Sequence, residues 1–259
     1  MSSLRLRQQL LASAVLVLTL VVAFAAVQFL VEGKVISSTF IAAPSDVLLS
    51  LPGAAAVSSV PILDTLAEIG VSFLLSLAIG VMAGLLIGNF SLLYRASNGI
   101  LTALYSVPKI TILPAMVLWL GLGTNSVLSF ATLESCIPIT LLVTGAVRGF
   151  DERLVVVARA IGATPVQIQT KVMLPGMRPQ LLASIQIGLV FSVIGVILAQ
   201  MFLGAGGVGT LLLNDAYELQ VAQLYAVSIV FALVVVAILT ACRAALERVA
   251  SSEHASLTL

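Results

Sequence analysis

Charge is what this 259-residue chain has least of. Only 9% of its residues are Asp, Glu, Lys or Arg, where soluble domains carry about 25%. A chain so poor in ionic groups cannot clothe a water-soluble fold. The net charge is +1, and no basic cluster with interleaved aromatics appears, which argues against a nucleic-acid partner. Histidine is nearly absent, its one copy (His254) sitting in a polar tail. The two cysteines, Cys136 and Cys242, form no CxxC pair. Neither a metal centre nor a disulfide framework is expected, and both read as small apolar residues. No Gly-x-x-x-x-Gly-Lys-Ser/Thr sequence exists to cradle nucleotide phosphates. No cluster of Asp, Glu and His or Ser–His arrangement marks an enzyme site.

What fills the chain instead is apolar. Hydrophobic residues make up 60% and mean hydropathy is +1.19. Six long apolar stretches cover residues 10–31, 65–88, 99–122, 126–147, 181–203 and 224–242, each near the roughly 20 residues that cross a bilayer. Backbone in lipid must satisfy its own hydrogen bonds, so these runs predict helices. The first is longer than a usual signal-peptide core and is read as a retained span. The expectation is an all-α, multi-pass membrane protein in one domain, residues 1–259, with about six transmembrane helices.

Positive charge sets the orientation. One set of loops and ends holds Arg5, Arg7, Arg95, Arg148, Arg153, Arg159, Lys171, Arg178, Arg243 and Arg248; the opposite set holds only Lys34. Cytoplasmic loops retain such residues, so both termini are expected in the cytoplasm. On the outer side, Pro44-Ser45-Asp46 before residues 47–51 predicts a short interfacial helix capped by Ser45 or Asp46. Residues 204–209 (Gly-Ala-Gly-Gly-Val-Gly) predict a flexible turn into another short apolar helix.

The longest charged stretch, residues 148–178, is locally well specified. Asp151 predicts an N-cap for a helix through Ala160, with Gly162 just beyond its end. Thr164-Pro165-Val166-Gln167 then predicts a capping box with proline at the first helical position. The second helix is expected to run to Leu174 and stop at Pro175.

Ala158-x-x-x-Gly162, nine residues, then Val172-x-Leu174-Pro175 resembles the cytoplasmic "EAA" loop of permease subunits in bacterial ABC importers. Ser106-Val107-Pro108-Lys109, Leu113-Pro114, Leu118-Trp119-Leu120-Gly121-Leu122-Gly123, Pro44-Ser45-Asp46 and the stretch from Ala199 through Gly209 to Leu211 are similar to the nitrate/sulfonate/taurine branch. The resemblance implies a MetI-like permease core in the bacterial inner membrane and a coupling helix, Thr164 to Leu174, that docks on a separate cytoplasmic ATPase. It implies that ATP and magnesium are held by that ATPase, with no cofactor in this chain. It further implies an external solute-binding protein, two permease copies (a homodimer is expected) and a small anionic or heterocyclic solute moved by alternating access. By the resemblance, the ATPase-coupling residues are Glu152, Ala158, Arg159, Gly162, Ala163, Thr164, Pro165, Gln167, Val172, Leu174 and Pro175. Two positions depart from the pattern. Val156 stands where the family has its loop glutamate, and Gln200 where the branch often has one. Glu152, one turn before Val156 on the same face, is taken as a partial substitute.

Three polar residues are candidates for the translocation pathway: Lys109, Glu134 and Gln200. Central charges are costly in a bilayer and often functional. Glu134 has three open placements: lining the pathway, pairing with Lys109, or hydrogen-bonding to hydroxyls. Lys109, after Pro108, sits either in a polar cavity at a kink or at an interface by snorkelling. Gln186 and Gln200, fourteen apart, share one helix face, for a pore or for interhelical bonding. Gly80, Gly84 and Gly88 share another face, suited to close helix packing. An ion-driven secondary transporter using Glu134 and Lys109 is the alternative from another class.

Overall fold

The computed structural model describes residue 15, residues 18–19 and residues 21–256. Arg5, Arg7 and most of the first half of the apolar stretch 10–31 lie outside the described residues. Among the described residues the chain is helical, with no strand. Its helices are α1 (Val21–Glu32), α2 (Pro44–Asn89), α3 (Ser91–Ser106), α4 (Leu113–Leu120), α5 (Thr124–Arg148), α6 (Glu152–Ala160), α7 (Pro165–Gln167), α8 (Leu174–Gly176), α9 (Arg178–Leu203), α10 (Gly207–Tyr217) and α11 (Val221–Ser256). By length and composition α2, α5, α9 and part of α11 can cross a membrane. The α3–α4 pair, bent by 91°, is a fifth candidate.

The chain divides into two units: Met1–Ser59 with Leu211–Ala232, and Val60–Thr210 with Leu233–Leu259. In the first, the Gln28 side chain reaches the start of α2. Its Oε1 accepts from the Ser45 N–H at 3.1 Å and its Nε2 donates to Ser45 Oγ at 2.8 Å. The expected cap by Ser45 or Asp46 is therefore displaced. Helix α2 begins at Pro44, Val47 N–H bonds back to the Ala43 carbonyl, and a distant side chain serves a donor that a local one was expected to serve. Nor does the interfacial helix stand apart from the span: α2 continues for 46 residues, about 69 Å at 1.5 Å per residue, over twice a hydrocarbon core of roughly 30 Å.

In the second unit α5 is the central helix. On one side the glycine stripe of α2 presses against it. A Cβ on Gly84 would lie 2.6 Å from Val143 Cβ, and one on Gly88 would lie 2.6 Å from Val147 Cβ. Gly188 and Gly195 of α9 also come close, a Cβ there standing 2.5 Å from Ile139 Cδ1 and 2.8 Å from Ala131 Cα. Lipid gives helices no hydrophobic reason to associate, so dispersion at such close approaches supplies the cohesion. Phe130, Val127, Ala131, Ile139 and Val143 are buried completely. Overpacking any of these glycines by one side chain is expected to cost about 1–3 kcal/mol.

The stretch expected as one span at 99–122 is broken instead. Pro108, with no N–H to give, sits between α3 and a 3₁₀ turn, Lys109–Ile112, which leads into α4. The sequence pointed to a kink there, but not to a right angle.

Candidate functional site

The loop 148–178 is built from short-range instructions. Asp151 caps α6 by accepting from the Arg153 N–H at 2.9 Å. The helix ends in a Schellman turn: Ala163 N–H reaches the Ala158 carbonyl and Gly162 N–H the Arg159 carbonyl, with Gly162 at φ +83°. A capping box opens the next segment. Gln167 N–H donates to Thr164 Oγ1 at 3.3 Å, and Thr164 N–H donates to Gln167 Oε1 at 2.8 Å.

The expected stop at Pro175 does not occur. Ile168–Met173 forms a π turn, after which the Leu174 N–H reaches the Gln169 carbonyl five residues back. Pro175 lies at the start of α8, and the chain passes through Met177 into α9. A wider π turn gives the proline ring room beside the preceding carbonyls and makes no demand on its missing N–H.

One face of this loop is fixed to the spans. Ala146, Val147, Ala158, Ile168, Met173 and Met177 form a buried cluster, with Val155, Ala163, Val172 and Leu174 packed against it. The Phe150 ring lies so close to Gly176 that a Cβ there would stand 2.5 Å from it. The other face is open and apolar: Leu154, Val156, Val157, Ile161 and Val166 are more than half exposed, Ile161 at 81%. Glu152, Arg159, Thr164, Pro165 and Gln167 are exposed as well, and Pro175 is half-buried. The predicted loop residues are thus brought into one element with two faces, one anchored and one bare.

The three membrane candidates divide into two groups. Lys109 Nζ lies 3.4 Å from Glu134 Oε1, their side chains 5% and 12% exposed, and 5.8 Å from the centre of the Tyr105 ring. Of the open placements, pairing is the one found. Gln200 is 1% exposed and sits elsewhere, in a node with Thr65, Glu68 and the backbone of residues 208–209. Its Nε2 donates to Thr65 Oγ1 at 3.1 Å and Glu68 Oε2 at 2.7 Å, while its Oε1 accepts from Gly209 N–H at 2.9 Å. Thr65 Oγ1 also accepts from Val208 N–H at 2.9 Å and lies 2.8 Å from the Pro61 carbonyl. Gln186 is half-buried. Among the described residues no group of three or more His, Cys, Asp and Glu could hold a metal ion.

Residues 76–252 match the family described as the binding-protein-dependent transport system inner membrane component. The chain belongs to that family. This inner membrane component is 28% identical over 162 residues to a putative aliphatic sulfonates transport permease protein, SsuC, of Bacillus subtilis (strain 168), covering 62% of the chain and 59% of that protein. It is 26% identical over 183 residues to the taurine transport system permease protein TauC of Escherichia coli (strain K12), covering 68% and 66%. The chain thus spans about three-fifths to two-thirds of the length of these relatives. Among solved structures, the inward-facing MetNI methionine ABC transporter matches with a TM-score of 0.67 and 25% identity, over 74% of this chain and 95% of that one. A MetI-like, multi-pass helical fold is therefore established.

Thr65 and Glu68 escaped the sequence reading. Their signal was weak: two polar residues three apart at the edge of an apolar run, with nothing local to say that they meet a glutamine 135 and 132 positions away.

Proposed function

We propose that this chain is the channel-forming permease subunit of an ATP-driven importer in the bacterial inner membrane, working by alternating access. The observation that carries the reading is the 148–178 loop: capped at its turns, anchored on one face to the ends of α5 and α9, and bare and apolar on the other. Such an element is stiff enough to pass a push from a docked protein to the spans rather than absorb it. The partner on the bare face is the cytoplasmic ATPase, which holds ATP and magnesium; this chain makes and breaks no bonds. Loop and termini then lie in the cytoplasm, in keeping with the lysine and arginine placement. The remaining partners are an external solute-binding protein and a second permease copy. Of the loop residues, Gly162, Thr164, Pro165 and Gln167 shape the docking helix, and Ala158, Ala163, Val172 and Leu174 root it. Glu152, Arg159 and Pro175 complete the coupling surface, with Glu152 standing in for an acid at Val156. The cargo is a small solute, a sulfonate-, nitrate- or taurine-like anion or a heterocyclic precursor. Lys109 and Glu134, which neutralise each other, would have to exchange partners for such a solute to meet them.

The test is affinity isolation of the tagged chain from mildly solubilised membranes, with mass spectrometry of what accompanies it. An ATPase should be recovered from the unmodified chain and lost when Gly162 and Pro165 are replaced. Isolation of the chain alone, with uptake abolished by an uncoupler at constant ATP, would replace this reading with that of a secondary transporter.

A further inference from the structure

Helix α9 ends at Leu203, and three left-handed glycines, Gly204 (φ +59°), Gly206 (φ +91°) and Gly207 (φ +73°), turn the chain into α10. Glycine makes that path accessible but leaves it loose, since no other residue has as much backbone freedom to lose. Something must hold it, and the structure places Gln200 there. A Cβ on Gly207 would collide with the Gln200 amide head, and one on Gly209 would lie 2.6 Å from the Ile197 carbonyl and 2.7 Å from Gln200 Cβ. The turn folds back over the last coil of α9, and its amides at 208 and 209 bond to Thr65 and Gln200. Thr210 completes the closure, its hydroxyl 3.0 Å from the Gln200 carbonyl and 2.8 Å from that of Gly206.

The arithmetic at Gln200 is complete. Its two N–H groups go to Thr65 and Glu68, and its carbonyl oxygen receives Gly209, with the Thr65 hydroxyl 3.2 Å from that same oxygen. Among the ordinary side chains, a planar head of this reach that donates twice and accepts once is an amide. A carboxylate at the same place would accept from Gly209 and from the Thr65 hydroxyl but set oxygen against the carboxylate oxygen of Glu68.

We propose that Gln200, with Thr65 and Glu68, is a positioning clamp that fixes the Gly204–Thr210 turn to α2 and α9, so that movement of α9 is delivered to the turn without slack. Gln200 serves translocation by holding backbone rather than by touching solute. The clamp rests on the permease reading for its purpose, but not for its geometry.

The experiment is hydrogen exchange of the peptide spanning residues 206–210, in the full chain purified with whatever ATPase accompanies it, at about pH 5.5 and about pH 8 with intrinsic rates corrected. In Q200E the turn should exchange about tenfold faster than in the unmodified chain at the higher pH, and approach it at the lower one, where a single shared proton rebuilds an O–H···O⁻ contact with Glu68. The charged groups on the surrounding elements are Asp64 and Glu68 of α2, Glu134 of α5, already paired with Lys109, and Asp215 farther along α10. The swap E68Q/Q200E, which returns an amide to face the carboxylate, should restore slow exchange at both pH values. ATP hydrolysis by the complex should follow the same pattern, pH-sensitive in Q200E and restored in the swap. Unchanged exchange in Q200E at both pH values, or a swap that exchanges no more slowly than Q200E, overturns the clamp. Absence of an ATPase beside the unmodified chain overturns the importer reading instead, and the exchange data still judge the clamp.

Discussion

The two ends of α9 are fastened by opposite means. At its first end the chain enters from a loop whose order comes from near neighbours: Asp151 bonds two residues along, Thr164 and Gln167 bond each other, and Gly162 closes a turn on residues just behind it. At its last end the chain leaves through a glycine turn held by Thr65 and Glu68, more than 130 positions away. Local fastening survives changes in tertiary packing. Remote fastening exists only when helices stand in the right register. A transporter of this proposed kind has use for both: a docking element that keeps its shape while pushed, and a turn whose hold depends on where α2 and α9 stand.

The largest effect should come from the remote contacts on α9's flank. Glu134 lies against α9, where a Cβ on Gly195 would approach its own Cβ to 3.2 Å, and it is the partner of Lys109. Lys109→Met alone should cost about 3–5 kcal/mol, because a buried carboxylate is left uncompensated. Lys109→Met with Glu134→Leu should cost far less. Thermal unfolding of the detergent-solubilised protein reads both, and equal losses would show that the pair is not coupled.

Next comes Thr65→Val, which removes the acceptor of Val208 N–H and of one Gln200 N–H. A total loss of about 1–3 kcal/mol is expected, because the stranded Gln200 amide keeps its bond to Glu68. Protease resistance of loop 148–178 should stay unchanged, and a parallel loss there would erase the contrast between the two ends. The converse is Thr164→Ala, expected to cost about 1 kcal/mol. Its effect should appear as faster hydrogen exchange at residues 164–168 and nowhere near residues 206–210.

The smallest effect is a pH dependence. Asp215 of α10 is 4% exposed, and its Oδ2 has no hydrogen-bond partner among the described residues. Burial, with Glu218 nearby as the lesser cause, raises its carboxyl above the ordinary aspartate range. The folded state therefore binds this proton more tightly than the unfolded chain does. Its contribution to stability is greatest in acid and falls as pH rises from the unfolded value through the folded one. Asp215→Asn should flatten stability across that window and raise it slightly at neutral pH. A steeper profile in the variant would sink the assignment.

How much was legible follows the same division. The caps at Asp151 and Thr164 and the turn at Gly162 were readable because each is a bond between residues a few positions apart. The glycine face at 80, 84 and 88 was readable because helical periodicity is local. Pro175 misled because its usual effect on a helix is also local, and a π turn upstream changed the local geometry it had to fit. Ser45 and Asp46 misled for a different reason: Gln28 reached the start of α2 from outside. Gln200 was noticed as a polar residue in an apolar helix, but its partners were not.

The sequence by itself determined that this is a multi-pass helical membrane protein, where the 148–178 loop begins and turns, and which faces are small enough to pack, because composition, periodicity and capping act over a turn or two of chain. Tertiary structure alone decided that Lys109 meets Glu134, that the third span breaks at a right angle, and that Gln200 holds a glycine turn through Thr65 and Glu68. Those outcomes depend on helix register, set jointly by many close contacts between elements distant in the chain.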